Sequence, residues 1–110
     1  MEKKNIDWEN IGFNYRKTDK RFVAEFKNGA WDAGRLTEDD TITISECAGV
    51  LQYAQTCFEG LKAYTTQDGR IVTFRPDLNA KRMEDTCKRL VMPVFPQDRF
   101  VDAVAETVKA

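Results

Sequence analysis

Leu61-Lys62-Ala63-Tyr64-Thr65-Thr66-Gln67-Asp68-Gly69-Arg70-Ile71-Val72-Thr73-Phe74-Arg75-Pro76-Asp77-Leu78-Asn79-Ala80 is the stretch that decides the fold class. Leu61 to Thr65 and Ile71 to Phe74 are strand-like runs, and Thr66 to Arg70 between them carries Asp68-Gly69 where a hairpin loop is tightest. Pro76 and Asp77 then open a helix, because proline has the right fixed φ for a first turn and its missing N–H has no partner there anyway. Ala80, Met83, Cys87 and Leu90 follow at spacings of three and four, one apolar face of that helix. Strands followed by helices predict an α+β domain, an antiparallel sheet with flanking helices.

Toward the carboxyl end, Met92-Pro93 and Phe95-Pro96 interrupt the helix, and a second one starts near Gln97. Phe100, Val101, Val104 and Val108 make its apolar stripe. No Gly or Asn stop follows at Val108-Lys109-Ala110, which is what a chain cut short inside a larger protein looks like. On the outer side of the first helix, Lys81 with Asp85, Glu84 with Lys88 and Asp85 with Arg89 are four apart and form candidate ion pairs, each worth only about 0.3 to 0.5 kcal/mol if exposed.

Toward the amino end, Phe22, Ala24 and Phe26 alternate from Arg21 to Lys27 as in a half-buried strand. Asn28-Gly29 is the strongest short hairpin signal, since a type I′ turn needs positive φ at both central residues, and a return strand runs through Ala30 and Trp31. Thr41 to Ser45, TITIS, reads as a further β-branched strand. With 110 residues, these elements are expected to form one compact unit around one core.

Hydrophobic residues make up 42% and charged residues 32%, the balance of a folded domain, and a net charge of -1 gives no field to attract nucleic acid or an anionic membrane. The longest charge-free run, Cys47 to Phe58, is too short to span a bilayer. The first ten residues, MEKKNIDWEN, carry charges of both signs and no apolar block, so they do not look like a secretory leader. The expected location is the cytoplasm. Cys47, Cys57 and Cys87 are odd in number and lack CxxC spacing, which argues against a disulfide framework or a zinc site and for small core residues. The chain has no histidine, so the Ser/His/Asp and Cys/His nucleophile arrangements are excluded.

Two features carry the functional reading. CAGVLQYAQTCF, residues 47–58, is expected to be buried or to line a pocket. Aromatics in such a run are more often core than pocket residues, and the hydroxyl of Tyr53 needs a partner if it is buried. Arg82 falls off the apolar stripe of its helix. It reads either as a surface arginine or, with Leu78 one turn earlier on the same side, as a partly covered fork suited to a phosphate.

Leu51 to Tyr64 (LQYAQTCFEGLKAY), then Asp68-Gly69-Arg70-Ile71, Phe74 to Asn79, Arg82-Met83 and Arg89-Leu90-Val91-Met92-Pro93 resemble, in one order, the N-terminal domain of branched-chain-amino-acid aminotransferases. The stretch from Lys17 to Gly34 fits more loosely. The resemblance implies a fold type IV enzyme using pyridoxal 5′-phosphate, with residues 1–110 as the small N-terminal domain and the catalytic C-terminal domain absent from this chain.

It further implies that Phe58 of the FEG motif lines the pocket for the branched side chain. Tyr53 would reach the pocket of the neighbouring subunit of a homodimer, and Arg82 would bind the cofactor phosphate. Where relatives often carry histidine before the tyrosine, this chain has Gln52, which leaves the named roles intact.

The implied reaction moves the amino group of leucine, isoleucine or valine to 2-oxoglutarate. The family's Schiff-base lysine belongs to the other domain, so no catalytic residue and no metal site is expected here, and the chain alone should be inactive. The expected partners are branched-chain amino acids and 2-oxo acids, with no nucleic acid and no membrane. Two alternatives remain: a D-amino-acid aminotransferase or aminodeoxychorismate lyase of the same fold, which typically diverge around the FEG block, and a stand-alone binding module without catalysis.

Overall fold

Asn28 and Gly29 both take positive φ, 52° and 80°, as the type I′ hairpin requires. The computed structural model describes residues 4–110; Met1, Glu2 and Lys3, which begin the stretch read above as lacking a leader, lie outside it. The elements in chain order are β1 (Arg21–Val23), β2 (Phe26–Lys27), β3 (Ala30–Trp31), β4 (Arg35–Thr37), α1 (Gly49–Tyr53), β5 (Ala63–Thr65), β6 (Ile71–Thr73), α2 (Pro76–Arg89) and α3 (Gln97–Lys109). The strands form three separate antiparallel pairs, β1–β4, β2–β3 and β5–β6. The α+β class is as read from the sequence, but the sheet is divided.

The expected strand from Arg21 to Lys27 is broken by a bulge. Phe26 pairs with Trp31 while Val23 pairs with Arg35, so Ala24-Glu25 on one side faces Asp32-Ala33-Gly34 on the other, one residue more. Asp32 holds the kink together. Its Oδ1 accepts the Glu25 and Gly34 N–H groups at 3.1 and 2.9 Å, and its own N–H donates to the Glu25 carbonyl at 2.9 Å. Gly34 has φ 79°, and a Cβ there would overlap the Phe22 ring, so glycine is required on both counts.

The second hairpin follows its sequence signal, with Ala63 opposite Thr73 and Thr65 opposite Ile71. Gly69 takes φ 83° and donates to the Thr66 carbonyl at 3.0 Å. At the start of α2, Arg75 is in the left-handed region and forks onto Asp77, Nε to Oδ1 at 2.9 Å and Nη2 to Oδ2 at 2.6 Å. The predicted stripe faces inward: Ala80 and Cys87 are buried, and Met83 and Leu90 are half-buried. Lys81–Asp85 and Lys88–Glu84 pair at 2.7 and 2.5 Å, whereas no Asp85–Arg89 pair forms among the described residues.

Trp31 joins the first hairpin to the helices. Its indole N–H donates to the Val94 carbonyl at 2.9 Å, and its ring meets Phe26 and Phe95 edge-on at centroid distances of 5.3 and 5.0 Å. The Arg99 guanidinium lies over Phe95, 5.0 Å from its centroid, and donates to the Asp32 carbonyl at 2.5 Å.

Three expectations are corrected. Thr41 to Ser45 forms no strand and pairs with none of the three antiparallel ladders; Arg21 instead donates to the Asp39 and Thr41 carbonyls, both at 2.5 Å. Only Cys87 is a buried cysteine, with Cys57 half-buried and Cys47 exposed. Nor does one dense core form. Among the described residues the buried apolar side chains are Ala80, Cys87 and Phe95. The Cα radius of gyration is 15.7 Å where about 13 Å is usual for this length. Between the first hairpin and α3 lies an open apolar cleft of about 530 Å³ lined by Phe22, Trp31, Leu61, Phe100 and Val104 among others.

The end of α2 yields a stability prediction. The Met92 N–H donates to the Cys87 carbonyl at 2.8 Å and the Val91 N–H to that of Lys88 at 3.3 Å, the two bonds of a Schellman motif. The residue that must be left-handed in that motif is Val91, at φ 55°, an unfavourable place for a β-branched side chain. Its side chain is 86% exposed, so little packing offsets the strain. Val91→Gly is therefore expected to stabilise the fold by about 0.5–1 kcal/mol, read as a rise in thermal midpoint.

Candidate functional site

The chain leaves α1 through Phe58-Glu59-Gly60 on its way to β5, and Glu59 turns inward where its neighbour Phe58 turns out. The Glu59 side chain is 7% exposed. Its carboxylate accepts Arg82 Nε on Oε1 and Arg82 Nη2 on Oε2, both at 2.7 Å, a two-point fork, and Asn79 Nδ2 on Oε2 at 3.0 Å. Asn79 also donates to the Gly60 carbonyl at 3.0 Å. Asn79 and Arg82 are three apart on α2 and so share a face, which is how one helix grips both residues of the Glu59-Gly60 turn.

This arrangement sets the charges. The hydrogen bond from Arg82 holds the Glu59 carboxyl below the usual carboxylate range; burial opposes it less strongly, and the Asn79 hydrogen bond adds a smaller lowering. The same bond raises the Arg82 pKa. A guanidinium has five N–H groups, and Glu59 engages Nε and Nη2, so the Nη1 side stays available. The Arg82 side chain is 67% exposed. What the geometry presents is a cation, braced from behind, with an open edge for an anion.

The residues singled out from the sequence are thus partly brought together. Phe58 adjoins Glu59, the partner of Arg82, and is 90% exposed. An open hollow lined by Gly60, Leu61, Lys62, Tyr64, Phe74 and Asn79 lies beside the pair. Tyr53 stands apart, over a shallow hollow lined by Glu46, Cys47 and Gln52 that has no residue in common with this cluster.

Burial of the charge-free run does not occur, since Leu51, Tyr53 and Phe58 are all exposed. The run is held instead by its amides, with Gln52 Nε2 donating to the Glu46 carbonyl at 3.2 Å and Gln55 Nε2 to that of Leu90 at 2.9 Å. Tyr15, just before the loosely matched stretch, donates to Asp40 Oδ2 at 2.8 Å.

Sequence reading missed Glu59 and Asn79. The available signals were a lone carboxylate directly after the charge-free run and an amide three residues before the arginine. Among the described residues, no group of His, Cys, Asp and Glu is placed to hold a metal ion, and no helix is long and apolar enough to cross a membrane.

No protein-family model matches the chain. Individual proteins do match it over nearly all its length. It is 54% identical over 107 residues to a branched-chain-amino-acid aminotransferase of Haemophilus influenzae, covering 97% of this chain and 31% of that protein. With the enzyme of the same name from Helicobacter pylori it is 50% identical over 106 residues, 96% of this chain and 31% of the relative. A methionine aminotransferase of Arabidopsis thaliana is 40% identical over 107 residues, 96% of this chain and 30% of the relative. The chain therefore spans about a third of the length of the relatives it matches. An identity of half or more over 96–97% of its length means that this chain belongs to the branched-chain-amino-acid aminotransferase family and corresponds to an N-terminal part of that enzyme.

Proposed function

We propose that this chain is the small domain of a pyridoxal 5′-phosphate enzyme that moves the amino group of leucine, isoleucine or valine to 2-oxoglutarate. The observation that carries the reading is the open edge of Arg82, braced by Glu59 next to Phe58. The cofactor ends in a phosphate dianion, and an exposed arginine fork suits that group in charge and shape. When bound, the cofactor supplies the electron sink for chemistry at the substrate Cα. This chain's contribution is to hold the phosphate through Arg82 and to select substrate through Phe58, whose apolar ring favours aliphatic side chains and excludes water. Tyr53, exposed and apart from Arg82, is free to serve the neighbouring subunit of a homodimer.

Family chemistry needs a Schiff-base lysine, assigned to a second domain, so the chain alone is inactive in this reading. The surface supports a need for more protein. Accessible area is 9200 Å², whereas a folded monomer of this mass exposes about 6,200 Å². The excess includes the apolar cleft beside α3. A net charge of only -1, with no field to attract a membrane or nucleic acid, fits a cytoplasmic enzyme acting on free amino acids. The methionine relative indicates that unbranched aliphatic side chains fall within reach of related pockets, since a methylene changes such selection by only about 1 to 3 kcal/mol.

Three outcomes are expected. In the full-length enzyme, Arg82→Ala weakens pyridoxal phosphate binding about 10- to 100-fold, the loss of a charge-assisted pair, with little change in the ranking of amino donors; unchanged cofactor affinity removes the phosphate role. Phe58→Ala raises KM for leucine about tenfold or more and that for glutamate much less, and equal changes would assign Phe58 to packing alone. The isolated 110-residue chain shows no transaminase activity and self-associates in sedimentation experiments; a monodisperse, stable monomer would favour a stand-alone module.

A further inference from the structure

We infer that Glu59 is a positioning residue for cofactor binding: it fixes the Arg82 guanidinium so that the Nη1 side faces the phosphate. The inference rests on the proposed role of Arg82 and adds a residue to it. A long arginine side chain that is 67% exposed has many rotamers, and its unaided orientation toward a ligand is lost entropy at every binding event. Glu59 removes that freedom beforehand. Its own side chain is 7% exposed and is itself held by Asn79 at 3.0 Å, so the brace is anchored to α2 at two points and to the turn through the Gly60 carbonyl. The fork uses Nε and one N–H of Nη2, leaving three of the five N–H groups for the phosphate.

A carboxylate near a phosphate site also repels the dianion, so the sign of the effect depends on which influence is larger. The guanidinium would stand between Glu59 and a bound phosphate, and it keeps its charge at any accessible pH. The two-point bond at 2.7 Å is strong and directional, while the repulsion acts over the full width of the cation and is screened by solvent at this exposed edge. Positioning is therefore the larger influence, and removing Glu59 weakens binding.

The test uses the full-length enzyme stripped of cofactor, with equilibrium affinities measured for pyridoxal phosphate and for pyridoxal, which lacks the phosphate. Glu59→Ala is expected to weaken pyridoxal phosphate about tenfold while leaving pyridoxal affinity unchanged, and Glu59→Gln, which keeps one acceptor, to weaken it less. The double variant Glu59→Ala/Arg82→Ala should be no worse than Arg82→Ala, because Glu59 acts only through the arginine.

Equal losses for both ligands would make Glu59 a general structural residue and overturn the inference, as would unchanged or tighter pyridoxal phosphate binding in Glu59→Ala. If Arg82→Ala itself leaves pyridoxal phosphate affinity unchanged, the phosphate reading falls and the inference with it. If Arg82→Ala weakens binding and Glu59→Ala does not, the reading of Arg82 stands and only the positioning role fails.

Discussion

Trp31 is the contact on which the arrangement of the elements depends. The strand pairs have no ladder in common, so the first hairpin is oriented by side chains: the indole N–H on the Val94 carbonyl and the indole ring between Phe26 and Phe95. Because Val94 and Phe95 sit in the short link between α2 and α3, one aromatic residue registers the hairpin against both helices. The bulge at Asp32-Ala33-Gly34 directly follows it, and Asp32 turns the chain while offering its carbonyl to Arg99. The cluster satisfies its polar groups locally, and apolar packing beyond it is thin.

That thinness bears on function. α3 presents Phe100 and Val104 to an open cleft, and the run from Val50 to Phe58 exposes large apolar side chains. A lone domain with such surfaces lacks the burial that normally offsets chain entropy. A domain built to be covered on more than one side has no such difficulty. The proposed site lies at the grip of α2 on the Glu59-Gly60 turn, so the groups proposed to meet ligand are held by secondary structure.

Much of this was legible in the residues because the governing interactions are short-range. Asn28-Gly29 and Asp68-Gly69 specify turns through backbone sterics, Pro76 marks the first residue of α2, and the three-and-four spacing of Ala80, Met83, Cys87 and Leu90 marks its inner face. The order of motifs from Leu51 to Pro93 was enough to identify the family. TITIS was misread because β-branching makes a segment fit for a strand without supplying a partner edge. Burial of residues 47–58 was misjudged for the same kind of reason, since hydrophobicity states a preference that only neighbouring elements can satisfy.

Local propensity and turn chemistry were thus determined by the sequence itself, through residues within a few positions of one another, and family membership by the order of motifs along it. The pairing of Glu59 with Arg82, 23 residues apart, and of Trp31 with Val94, 63 apart, was decided only in three dimensions. No periodicity encodes such contacts. They exist because hairpin, turn and helix are brought together at distances set by packing, and at those distances a surface arginine becomes one half of an oriented ion pair.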